Sequence, residues 1–353
     1  MVLYWPMMVR RRKNLTLREI AELAGTSKST VSRVLTNHSS VSPETRARVQ
    51  KVIEERGYQP NFFARGLAGG PTGLVAVLVP EINSGFYAEV LRGMDDVASK
   101  NMAHLLTSIA HGADDLFDLW RSFCREGRAD GVVVVAPPRA FFRKGIRKLE
   151  LPAVLCAARP PEGAQRWQAV DSVTVDNEKG FTALLHHLVQ IGCRSFIHVA
   201  GPQDVFDGQE RRNAFEKFME AHVNLSGQVI EAGFNPEDGL HAAESYLERS
   251  DVVPDAFVCF NDSTAYGVLE SLRRRKLEAG RDVMVTGCDD EPAAQSLGLT
   301  SLRMPMREMG RECSRLLLER IRVRNREIPP RNIVFGLELQ IRSSSLGHRR
   351  NRW

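Results

Sequence analysis

Along residues 74–79 six apolar positions follow one another without a polar break, and a few residues later the apolar positions become Phe86, Val90, Met94 and Val97. The first pattern predicts a short strand buried on both faces, the second a helix with one apolar stripe. This exchange of periods recurs down the chain. Strand-like runs at 103–108, 132–136, 153–157, 196–200, 256–260 and 283–287 alternate with helical spacing at 114–126, 178–191, 209–221 and 264–277. Such alternation predicts parallel sheets with crossover helices, and its extent predicts two doubly wound α/β lobes over residues 74–345.

The N-terminal part is patterned differently. Thr16-Leu-Arg-Glu19 reads as a capping box, and Leu17, Ile20, Ala21 and Ala24 then fall on one helical face that Gly25 ends. Ser27 is placed to cap a second short helix, Lys28 to Leu35, and this close spacing of two helices predicts a helix-turn-helix. At 100° per residue Thr30, Val31, Val34 and Leu35 share one arc of that second helix, while Lys28, Ser29, Ser32 and Arg33 share the other. The outer arc carries hydrogen-bond donors that suit a DNA major groove, since arginine reads guanine bidentately and serine or lysine reaches base edges or phosphates. Ser42-Pro43 opens a third helix with Val49, Val52 and Ile53 inward, and Gly57 ends it. A hinge and linker, 60–73, separates this 16–59 head from the lobes; a basic extension, 1–15, precedes it and a basic tail, 346–353, closes the chain.

Charge sharpens this division. The whole chain carries +5, but residues 1–70 hold 12 Lys or Arg against 5 Asp or Glu, so the remainder is slightly acidic. A basic head on a nearly neutral body predicts a polyanion as partner of the head alone. The six widely spaced cysteines, without a C-x-x-C pair, read as reduced core residues and suit the cytosol. The apolar start, Met1 to Val9, is too short and wrongly flanked for an export signal, and no run approaches a membrane span.

The stretch LTLREIAELAGTSKSTVSRVLTNHSSVSPETRARVQKVIEERGYQPNFFARGL resembles the DNA-binding head and hinge of the lactose-repressor (LacI/GalR) family. The resemblance continues through VAVLVPEINSGFYAEVLRGMD, HHLVQIGCRSFIHVAGP, QERRNAF, CFNDSTAYG and VTGCDDEP. It implies a helix-turn-helix head, a hinge helix and a periplasmic-binding-protein-like core. It also implies a ligand-responsive transcription regulator, in all expectation a repressor of genes for carbohydrate or related small-molecule metabolism. Its partners would be double-stranded operator DNA, a sugar, sugar acid or sugar phosphate as effector, and a second copy of the chain, with pairing of dimers into a tetramer left open. By the same resemblance Lys28, Ser29 and Arg33 meet base edges, while Thr16, Thr26 and Asn37 lie near phosphates. Asn61, Ala64 and Leu67 belong to the minor-groove hinge, with Leu67 as the wedge that kinks the duplex. Gly66 departs from the family, and a glycine there weakens a helix by about 1 kcal/mol relative to alanine, so the hinge is expected to order only with the dimer and DNA.

Ligands of doubly wound sheets bind beyond the carboxyl ends of strands. Four such places carry polar residues: 80–86, Arg211, Asn261-Asp262 and Asp289-Asp290. The resemblance makes Phe86 a pocket wall, Arg211 and Asp289 a polar clamp, and Asn261 a further hydrogen-bonding group. A second departure is Ala157, where the family commonly has an aspartate; with Arg159 nearby, an anionic effector becomes one expectation. Nucleotide-hydrolysis, esterase and zinc-protease motifs are missing, no metal-ligand spacing stands out, and no catalytic residue or cofactor is expected. A solute receptor or a sugar-modifying enzyme built on the same core is the competing reading, and the head argues against both.

Arg33→Ala is expected to cost about 1–3 kcal/mol and to relax one operator position, whereas Lys13→Ala lowers affinity evenly and flattens the salt slope. Binding selections at several salt concentrations check this; equal, sequence-blind losses from both would contradict base reading by Arg33.

Overall fold

The computed structural model describes residues 15–35, 39–58, 71–143, 151–164, 167, 169–250, 252–323 and 328–346. The chain divides into two compact units, residues 1–70 and 71–353.

The first unit holds three helices, α1 (Leu17–Leu23), α2 (Lys28–Leu35) and α3 (Pro43–Arg56). Each start follows from a local hydrogen bond. Thr16 accepts from the Glu19 amide and Glu19 reaches back to the Thr16 amide, closing the capping box before α1. Ser27 Oγ accepts from the Thr30 amide ahead of α2, and Ser42 Oγ from the Thr45 amide ahead of α3. Ile20, Ala21, Ala24, Val31, Val34 and Val49 make the buried core, with Val52, Ile53 and Tyr58 packed on it. So small a core leaves the third helix mostly exposed.

The second unit is two lobes. The first lobe's sheet contains β1 (Leu74–Val79), β2 (His104–Ile109), β3 (Gly131–Val135), β4 (Ala153–Cys156), β5 (Asp171–Val175) and β11 (Asn332–Phe335), in the order β11-β5-β4-β3-β1-β2, all parallel. The second lobe's sheet contains β6 (Ser195–Ala200), β7 (Ser226–Glu231), β8 (Ala256–Cys259), β9 (Met284–Asp289), β10 (Thr300–Arg303) and β12 (Glu338–Gln340), in the order β12-β10-β9-β8-β6-β7. Only β12 runs antiparallel among these described strands. The chain therefore passes between lobes three times, after β5, after β10 and after β11. Three short connections side by side allow bending but little twisting.

Helices cover both faces. In the first lobe α4 (Gly85–Ala98), α5 (Ala113–Glu126), α6 (Arg139–Arg143) and α12 (Met306–Val323) pack on the sheet, and in the second α7 (Asn177–Gln190), α8 (Phe206–Glu220), α9 (Pro236–Arg249), α10 (Asp262–Arg274) and α11 (Pro292–Ser296) do so. The backbones of α4 and α12 cross so closely that a Cβ on Gly93 would lie 2.0 Å from the Arg307 carbonyl oxygen, and one on Gly310 would lie 2.1 Å from that of Val90. Side chains at those two positions would force the helices apart.

Strands β10, β11 and β12 do not stand out as apolar runs because they are short, and β5 and β7 because polar residues interrupt them; β7 and β11 are also largely open to solvent. The run expected at 283–287 is in fact Met284–Asp289, so Asp289 ends the strand instead of following it.

Inside the second lobe His198 is fully buried, stacks on Phe215 with ring centroids 5.1 Å apart and donates from Nδ1 to the Val258 carbonyl at 2.8 Å. Burial lowers its pKa from 6.5 to about 4. The folded state thus holds this proton less tightly than the unfolded chain, so stability is intact above pH 6.5 and falls as pH drops from there toward 4. His198→Phe is expected to reduce the loss of Tm between pH 7 and pH 5, recovering roughly 1–2 kcal/mol at the lower pH. Parallel Tm curves for the two proteins would show His198 to be irrelevant to acid sensitivity.

Candidate functional site

A cavity opens between the lobes, at the carboxyl ends of the strands. With the lobes as they stand it holds about 50 Å³, well below the roughly 300–1,000 Å³ of an open small-molecule site, so its walls lie close together. Glu81, Phe86, Tyr87, Ala136 and Ala157 line it from the first lobe; Asp207, Arg211, Phe234, Phe260 and Asn261 line it from the second, with Asp289 and Met304. Phe86, Arg211, Asn261 and Asp289, all inferred from sequence, are brought together here.

Arg211 is the most constrained of them. Its side chain, 2% exposed, donates from Nε to Asn177 Oδ1 at 2.9 Å and from Nη1 to the Phe260 carbonyl at 2.7 Å. The guanidinium lies over the Phe260 ring, 4.7 Å from its centroid. Its nearest carboxylate is Asp207, one helical turn back on α8, with Nη2 4.0 Å from Oδ2. Asp207 Oδ1 in turn accepts from Asn177 Nδ2 at 2.8 Å. A guanidinium has five N–H donors, and two are engaged by these short bonds. The remainder face sulfur, a distant carboxylate and the cavity.

Asp289 presents the opposite chemistry. It is 6% exposed, and among the described residues its carboxylate accepts no hydrogen bond. Burial pushes its pKa well above the ordinary carboxylate range; burial also raises Asp207 and, less completely enclosed, Glu81. Three acids and one guanidinium in one cavity leave an excess of acceptors.

The backbone at the strand ends is unusual. Ala136, Ala157 and Asp289, after or at the ends of β3, β4 and β9, have φ of 45°, 52° and 121°, and Asp290 follows at 57°. Positive φ in residues other than glycine costs about 1–3 kcal/mol and gathers at ligand sites. Here it turns three strands away at the cavity floor. Ala157 does line the cavity, and it offers a methyl group and no acceptor, as its sequence implies. Arg159 does not: it is exposed, lies over Phe206 and pairs with Glu210 at 3.7 Å. This removes the positive charge that suggested an anionic ligand.

Asn261 is partly committed elsewhere. Its Oδ1 accepts from the Thr264 amide at 2.8 Å and its Nδ2 donates to the Phe234 carbonyl at 3.1 Å, so it caps α10 and holds the Phe234 loop. One amide hydrogen remains for a ligand. Asn177, Asp207 and Phe234 were not singled out from sequence, although Asp207 is placed four residues before Arg211 on the same helix, a spacing that pairs charges.

In the head, Lys28, Ser29, Ser32 and Arg33 are exposed on α2 while Val31 and Val34 are buried, as the wheel requires. Ser29 Oγ lies 2.7 Å from Ser27 Oγ. The Thr16 hydroxyl and amide are both engaged with Glu19, which leaves capping as the structural use of that residue. Thr26 is half-buried, and its amide bonds to the Ala21 carbonyl in the turn. Asn37, Asn61, Ala64 and Leu67 lie outside the described residues.

A helix-turn-helix with a donor-rich outer face, carried on one chain with a two-lobed α/β unit that encloses a polar cavity, defines a ligand-receptive DNA-binding regulator. Comparison with known proteins gives the lineage. Residues 16–61 match the bacterial regulatory proteins of the lacI family, and residues 185–345 match the periplasmic binding protein-like domain. The transcriptional regulator CelR of Thermobifida fusca is 30% identical over 95% of this chain and 100% of its own length. A solved CelR–cellobiose complex aligns with TM-score 0.68 at 28% identity, covering 94% of this chain and 99% of that one. The Lac repressor dimer bound to operator and the anti-inducer ONPF shares the fold, with TM-score 0.79 at 22% identity over 95% and 100% of the two chains. The chain belongs to the LacI family of DNA-binding transcription regulators.

Proposed function

We propose that the interlobe cavity takes a neutral, polyhydroxylated effector, a sugar, and that its occupancy sets the affinity of the head for operator DNA. The observation that carries this reading is the pairing of a buried guanidinium with unengaged donors and a buried carboxylate without a hydrogen bond, across one cavity. Each is costly alone in a dry interior, and a ligand with adjacent hydroxyls satisfies both, accepting from Arg211 and donating to Asp289. Phe86, Phe234 and Phe260 supply apolar faces against which a sugar ring packs. The excess of acids disfavours a sugar acid or sugar phosphate, because a second anion would meet Glu81 and Asp289 at close range. A relative's complex with cellobiose agrees with the ligand class.

On this reading the head, residues 16–59, reads DNA through Lys28, Ser29 and Arg33, with Thr16, Thr26 and Asn37 near phosphates and the hinge, 60–73, reaching the minor groove through Asn61, Ala64 and Leu67. The working unit is a homodimer, as in the Lac repressor dimer, so that two heads meet two half-sites of a near-palindrome. It acts in the cytoplasm and catalyses no reaction.

Titration calorimetry of the purified full chain against glucose, cellobiose, gluconate and glucose 6-phosphate tests the ligand class. A neutral sugar is expected to bind, with Asp289→Ala weakening it by about 30-fold or more, and the two anions are expected not to bind. Binding of the anions alone, or a neutral sugar bound equally well by Asp289→Ala, would overturn the proposal.

A further inference from the structure

Outside the cavity one of the short bonds between the lobes runs from a side-chain carboxylate to a helix start. Glu291, on the second lobe just before α11, accepts with Oε1 from the Gly85 amide at 2.9 Å; the Ser84 hydroxyl lies 3.4 Å away. Gly85 is the first residue of α4 in the first lobe, so its N–H has no partner within its own helix. A carboxylate at that position satisfies the orphan donor and meets the positive end of the helix. A Cβ on residue 85 would lie 2.9 Å from the same oxygen, so a side chain there would make the flexible carboxylate shift.

The acid is itself held in place. Its backbone N–H donates to Asp262 Oδ2 at 2.8 Å, and the other oxygen of the fully buried Asp262 accepts from Ser301 Oγ at 2.5 Å. Ser301 Oγ also accepts from the Asp290 amide at 3.1 Å, next to the strained Asp289. A connected set of bonds thus runs from the cavity floor to the contact between lobes. At another interlobe contact Arg159 lies over Phe206 near Glu210, and the Arg139 amide donates to the Asp204 carbonyl at 2.5 Å.

We propose that Glu291 is a positioning residue for the effector response: by accepting from Gly85 it holds the lobes closed, and it strengthens effector binding without touching the effector. This rests on the interlobe cavity being the effector site. Glu291 does not line that cavity, whereas Ser84, beside the bond, does. Because closure removes a cost that the ligand otherwise meets, losing the latch raises the apparent Kd by the inverse of the closed fraction. Arg159, exposed and salt-screened, contributes less.

The test measures lobe separation in the full chain without any ligand, so that it is decided independently of the cavity's chemistry. Spin labels on Asp118→Cys and Glu220→Cys, both exposed, in a Cys124→Ser background report the distance between α5 and α8. Glu291→Ala is expected to move the distribution toward longer distances, and Glu291→Gln, which keeps an acceptor, to move it less. Gly85→Pro placed in the Glu291→Ala background, where no carboxylate meets the ring, removes the donor from the opposite side while suiting a first helical position, and it should open the lobes no further than Glu291→Ala alone. Melting curves equal to that of the parent show that the variants remain folded. A distribution unchanged by Glu291→Ala would overturn the latch. Where a neutral sugar binds the parent, Glu291→Ala should weaken it about tenfold with the enthalpy of contact preserved; failure of any sugar to bind would count against the cavity's assignment and leave the distances to decide the latch.

Discussion

The core is organised around one buried charge. Arg211 bears a full positive charge at 2% exposure, and a guanidinium so enclosed is tolerable only where its donors are met. The residues that meet it come from the ends of the second lobe's elements and from the crossings between lobes. Asn177 opens the helix that follows the first crossing, Phe260 directly follows β8, and Met304, whose sulfur lies 4.0 Å from Nη2, sits in the second crossing. The demand to satisfy this one side chain therefore ties the cavity to the segments about which the lobes bend. Asp207, raised by burial, is an incomplete counter-charge at 4.0 Å, and the remaining deficit faces the cavity.

The same cleft joins two kinds of interaction that do different work. On the proposed reading Arg211 and Asp289 select the ligand's chemistry, while the bond between Glu291 and Gly85 sets how readily the lobes stay together. Ser301, which donates to Asp262 and accepts from Asp290, lies between them. On that reading closure and ligand contact are coupled through short bonds in a region of low dielectric, where each is electrostatically stronger than in water.

Much of this was legible in the sequence where a single physical demand dominates. Six apolar residues in a row are β1, the wheel of α2 separates Lys28, Ser29, Ser32 and Arg33 from Val31 and Val34, and capping residues mark the head's helices. Phe86, Arg211, Asn261 and Asp289 meet in one cavity because strand ends converge in this topology. What stayed hidden depends on distant contacts. Strands β10, β11 and β12 are three or four residues long, and they exist because the chain returns to pair with strands already formed. Arg159 reads as a cavity residue by its proximity to Ala157, yet the left-handed turn at Ala157 sends the chain outward. Nothing local in Glu291 reveals that its partner amide is 206 residues away.

On the proposed function the state of the cleft controls DNA affinity. The most direct measurement is the operator-binding isotherm of the full-length protein at fixed salt, on a site selected from genomic fragments, with and without a saturating cleft ligand. A change of about 5- to 150-fold, corresponding to a coupling of about 1–3 kcal/mol and abolished by Arg211→Met, is the predicted result. An isotherm that does not move when the cleft is demonstrably occupied would contradict it.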